Sequence, residues 1–150
     1  MKTMLRMMEH MHWANAEILD VVEKNGVDDP DILRLLRHMA IAEQVWLIRL
    51  NGGSSRHLQL WEAGDATEVA ALMRANDRGY RDYMALLTEA DLDGTIAYTN
   101  QQGTPFEMPV RDILIHVTLH GQYHRGQVNR MLVSGKVQPV VFDFIAFARL

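Results

Sequence analysis

The stretch from Ile113 to Met131, ILIHVTLHGQYHRGQVNRM, constrains this chain more than any other. Its apolar residues recur at helical spacing, and His116, His120 and His124 occupy successive fourth positions. Side chains four apart share a helix face at about 6 Å, so two neighbouring imidazoles can hold one metal ion. His116 and His124 are two turns apart, roughly 12 Å along the axis, which is too far for one small ion to take all three. An adjacent pair must therefore find further ligands elsewhere. Gly121 and Gly126 stand beside His120 and His124. A glycine inside a helix costs about 1 kcal/mol against alanine, so its presence predicts close approach of a neighbouring helix or a ligand. That favours the pair His120–His124 and leaves His116 as a supporting or core histidine.

Residues 3 to 24 read as a first helix, with Met4, Met7, Met11, Ala14, Ile18 and Val22 on a buried stripe and Asn25-Gly26 as its stop. The many methionines are expected to fill the core. His10 and His12 point to different sides and do not form a ligand pair. Asp28-Asp29-Pro30 starts a second helix that runs to about Leu50. On it, Leu35, His38, Ala42 and Val45 share one face, which puts His38 on an otherwise apolar stripe and makes it the best outside ligand. Residues 51 to 65 form the longest irregular connection, with His57 and Trp61 in it. Loops of this kind often border sites. Thr67 or Asp65 caps a third helix over about 67 to 90, closed by Asp91 to Gly94. Thr95–Thr99 and Phe106–Val110 are expected to pair as a small hairpin or to lie as an extended loop. The last long helix follows Pro109 and stops near Ser134-Gly135. The tail, with Phe142, Phe144 and Phe147, is expected to pack on the bundle or on a second subunit. The predicted fold is all-α: one four-helix-bundle domain spanning 1–150.

The 150 residues are enough for a sizeable core, and 48% hydrophobic with 23% charged is ordinary for a globular protein. With net charge −4 and no Lys/Arg block, the chain lacks the basic stripe that nucleic-acid binding needs. It has no cysteine, so thiolate metal sites, disulfides and cysteine nucleophiles are excluded. Its beginning lacks the apolar core of a signal peptide, and no run is long enough to span a membrane. The expected location is the cytoplasm.

Three pieces of the chain resemble the DinB/YfiT superfamily of metal-binding four-helix bundles. They are Trp13-Ala14-Asn15 in the first helix, His38-x-x-x-x-Glu43-x-x-Trp46-Leu47-x-Arg49-Leu50 in the second, and His116-x-x-x-His120-x-x-x-His124-Arg125-Gly126-Gln127 in the last. The resemblance implies that His38, His120 and His124 ligate the metal and leave positions open for water or substrate. It also implies a homodimer, and relatives that act on low-molecular-weight thiols.

Imidazole suits zinc and nickel first, with iron and manganese also compatible. Three protein ligands fit catalysis better than a structural zinc site, which is usually closed by four. The metal can generate a hydroxide from water or bind a thiol as thiolate, so the expected activity is a hydrolase or a thiol S-transferase on a small molecule. A non-catalytic metal-binding or stress-response protein and a structural dimerisation module are the alternatives. No general base stands out. Glu43 lies about 140° around the helix from His38 and is expected to make a structural hydrogen bond. Asn15, Tyr123 and Gln127, with His116, are candidates to support the ligand imidazoles. Arg125 is a candidate for binding an anionic substrate, against the plainer expectation of a solvated helix-face arginine.

Overall fold

The computed structural model describes residues 1–150. Four long helices, α1 (Lys2–Lys24), α2 (Pro30–Leu50), α3 (Ala66–Leu86) and α4 (Val110–Ser134), make the bundle, and a one-turn helix α5 (Phe144–Phe147) follows. A two-stranded antiparallel sheet, β1 (Thr95–Thr99) and β2 (Pro105–Pro109), precedes α4, with Thr95 opposite Pro109 and Tyr98 opposite Phe106. No helix is long and apolar enough to cross a membrane.

Helix starts follow local chemistry. Asp29 accepts from the amides of Asp31 and Ile32, with Pro30 at the first helical position. Asp65, one of the two expected caps, accepts from Glu68 N at 2.8 Å. Each such cap satisfies orphan amides and contributes about 1 kcal/mol. Helix α3 ends at Leu86, short of the predicted 90. Leu87 turns extended (ψ 136°), and the Asp91 carboxylate takes both the amide and the hydroxyl of Thr88, starting a separate 3-10 turn over Ala90–Asp93.

Packing runs α1–α4–α2–α3 and back to α1, so α2 lies against α4. The core comes in two apolar clusters. One gathers Ala14, Ile18, Leu36, Met39, Met73, Val128 and Leu132, among others. The other gathers Met8, Met11, Tyr80, Met84, Ile113, Leu114 and Val117 with their neighbours. Met8, not the expected Met7, completes the buried stripe of α1. On every helix, buried polar residues fall between the two clusters: Asn15 on α1, Glu43 on α2, Asn76 on α3 and Arg125 on α4. The tail closes one flank, where Phe142 is buried and Phe147 packs on Trp13. His10, buried there, donates from Nε2 to the Phe142 carbonyl at 2.8 Å.

Candidate metal centre

Because α2 and α4 are neighbours, His38 faces His120 and His124. One ring nitrogen from each of the three lies within 4.8 Å of the others. The Nε2 atoms of His120 and His124 are 3.2 Å apart. Two nitrogens at about 2.0–2.1 Å from one tetrahedral zinc stand about 3.4 Å apart, so the pair is already spaced for a common ion.

The tautomers are set by what the other nitrogens touch. His38 Nδ1 is 3.1 Å from the Leu60 carbonyl. A carbonyl only accepts, so Nδ1 carries the proton and Nε2 keeps its lone pair. His124 Nδ1 donates to Gln127 Oε1 at 2.6 Å, and the Gln127 amide donates to the Tyr123 hydroxyl at 3.3 Å. The His124 Nε2 that faces His120 is therefore also a lone pair. Fixing ring orientation and tautomer through the distal nitrogen is how metal-ligating histidines are held.

Burial favours the neutral rings of His120 and His38, the form that binds a metal. Desolvation lowers the His120 pKa from 6.5 to about 4, helped by the charges His124, His38 and His116 would carry. It lowers His38 as well, against the hydrogen bond to Leu60. These three residues can hold a divalent metal by count, distance and donor type.

Trp61 stacks on His38, its ring centroid 3.6 Å away and the planes 6° apart. A groove of about 350 Å³ runs past Trp61, Arg34, Tyr123, Gln127 and His124. A larger cavity, about 850 Å³, lies between α1 and α3 and touches none of the three histidines, so size alone does not mark the chemistry.

His116 stands exposed one turn away, its ring 5.6 Å from that of His120 and edge-on to Trp46. Tyr123 meets His124 edge-on, ring centroids 5.0 Å apart, and is also tied to it through Gln127. Asn15 is not at the histidines: its amide nitrogen donates to Glu43 and its oxygen accepts from Arg125 at 2.7 Å. Arg125 is fully buried and belongs to that same interior network, so it is neither on a solvated face nor open to a substrate. Glu43 makes the structural hydrogen bond expected of it.

Two contacts to His38 were not foreseen. The Leu60 carbonyl is backbone and leaves no mark in residue identity. The sequence places Trp61 in a loop bordering the site; an aromatic in an irregular, otherwise polar segment is the signal that pairs it with a ligand.

The DinB family model matches residues 1–150, the whole chain. The chain belongs to the DinB family. No curated protein matches it. In this DinB protein the three histidines come together because α2 and α4 pack side by side.

Proposed function

We propose that this DinB protein binds one divalent metal ion, zinc or nickel, through His38, His120 and His124, and uses it as an enzyme on a small molecule. The observation that carries this reading is the pair of fixed lone pairs: His38 and His124 each commit Nδ1–H to a protein oxygen and keep a lone pair on Nε2, with the His124 Nε2 3.2 Å from that of His120 and a nitrogen of His38 in the same cluster. In a core that only packed, two imidazole nitrogens would not be aimed at each other with no oxygen between them.

A divalent ion held there supplies Lewis acidity that activates a small nucleophile, water or a thiol, at neutral pH. The chain's own part is to present three ligands and no fourth, which keeps a position free and separates a catalytic site from a structural one. Among His, Asp, Glu and Cys, no fourth side chain joins the three histidines. The groove beside His124 and Trp61 gives a substrate somewhere to lie, and its lining mixes apolar faces with Arg34, Tyr123 and Gln127 as donors. A store or sensor needs no such groove.

Untagged protein loaded with zinc or nickel, given a thiol-dependent conjugation substrate in one arm and a carboxylic ester in the other, tests this. Turnover in either arm that vanishes in His120→Ala supports the proposal and assigns transferase or hydrolase. Metal bound at one per chain, with neither substrate class consumed over a panel, would favour a non-catalytic metal protein.

A further inference from the structure

The irregular segment between α2 and α3 is stapled to the bundle at several points. Buried Arg49 donates to Ser55 Oγ at 3.1 Å. Gln101, from the turn of the hairpin, donates to the carbonyls of Ser55 (3.2 Å) and Leu58 (3.1 Å). Arg37 donates to the Gln59 carbonyl at 3.3 Å and pairs with Glu62 and Glu68, both at 3.1 Å. The Arg37 contacts at Gln59 and Glu62 bracket Leu60 and Trp61, the two residues of the segment that touch His38.

Those two contacts do different things. The hydrogen bond to Leu60 chooses the tautomer but leaves the imidazole free to swing about the N–H···O line. A parallel indole at 3.6 Å removes the swing, because rotating the ring would drive its edge into the face of Trp61. The indole is itself 51% exposed, more than a tryptophan needed only for core packing would be. Arg34 lies over it at 5.6 Å.

We propose that Trp61 is a positioning residue for the metal: its ring clamps the plane of His38, so that affinity for the ion is linked to docking of the 55–65 segment. This rests on the metal reading given above. By linkage, anything that lifts the segment loosens the ion, and the bound ion holds the segment down.

The test is nickel titration of the untagged, metal-stripped full chain by calorimetry, comparing wild type, Trp61→Phe and Trp61→Ala. Trp61→Ala is expected to weaken nickel binding about 10- to 100-fold, the usual cost of losing a partner that orients a ligand. Trp61→Phe, which keeps an aromatic face, is expected to restore binding close to wild type. The denaturation midpoint of the metal-free protein should hardly move, because the indole is half exposed. Nickel affinity in Trp61→Ala equal to wild type overturns this inference and leaves the metal reading standing. Wild-type protein that takes up neither nickel nor zinc overturns both.

Discussion

Gly121 and Gly126 sit five residues apart on α4, yet they answer to different surroundings. A Cβ on Gly121 would come within 2.9 Å of Arg125 Nη1, a group pinned in the interior by Asn15, whereas a Cβ on Gly126 would meet nothing within 4 Å. The sequence predicts close approach of another helix or a ligand at both. The real cause at Gly121 is the helix's own arginine folding back, and nothing in the structure explains Gly126. Gly126→Ala should therefore stabilise the protein by about 0.5–1 kcal/mol, roughly 2–4 °C in Tm, while Gly121→Ala should lose that gain or reverse it. Thermal unfolding of the two variants side by side checks this. Among the histidines, His38→Ala should strip most of the metal from the purified protein and His116→Ala should not, since His116 has no nitrogen in the cluster. Elemental analysis of untagged preparations reads the difference, and equal losses would mean the wrong trio. The spacing of the α4 histidines was visible in residue letters because helical period is a local property. The partner of His38 Nδ1 was not, because any residue supplies a carbonyl.

Helices α2 and α3 share a junction on which the site depends. Asp65 caps α3, and Glu68 in the first turn of that helix pairs with Arg37 of α2, which in turn holds the carbonyl of Gln59. Asp65→Ala should cost about 1 kcal/mol of stability in urea unfolding of the metal-free protein, as N-cap losses do. An unchanged midpoint would show that the cap is solvent-compensated. The sequence placed α1, α2 and α4 nearly to the residue, since Asn-Gly, Asp-Pro and Pro are strong local punctuation. It overran α3 because nothing before Asp91 looks like a stop; the helix ends where Asp91 captures Thr88, a side-chain contact that competes with helical bonding. The second strand of the hairpin starts one residue before the expected Phe106: Pro105–Pro109 pair, and Val110 already belongs to α4.

Across the whole molecule, a polar layer divides the core at the level of the histidines, and its strongest member is Arg125. Burial and the Asn15 bridge to Glu43 make this an interior charge pair held at one remove; burial pushes the Glu43 pKa up, against the Asn15 hydrogen bond and the Arg125 charge. Arg125→Ala should destabilise the protein by about 3–5 kcal/mol, because it strands Glu43 in the interior. Denaturation curves at neutral pH measure it. His12, buried against Asp77 at 2.8 Å, adds a pH dependence. Desolvation outweighs the Asp77 charge and lowers its pKa to about 4, against 6.5 in the unfolded chain. Between those values the unfolded chain binds a proton that the folded chain refuses, so stability is full above about 6.5 and falls as pH drops toward 4. His12→Gln should reduce that slope in stability measured from pH 7 to 4.5, leaving the part due to His120. The bundle itself was legible from four amphipathic stretches, but the packing order α1–α4–α2–α3 was not, and it is this order that brings α2 against α4. The central claim is that imidazoles from these two helices converge on one cation. X-ray absorption of the zinc-loaded protein tests it most directly. The account predicts three imidazole nitrogens at about 2.0–2.1 Å with at least one further light ligand; a spectrum with one imidazole or none would contradict it.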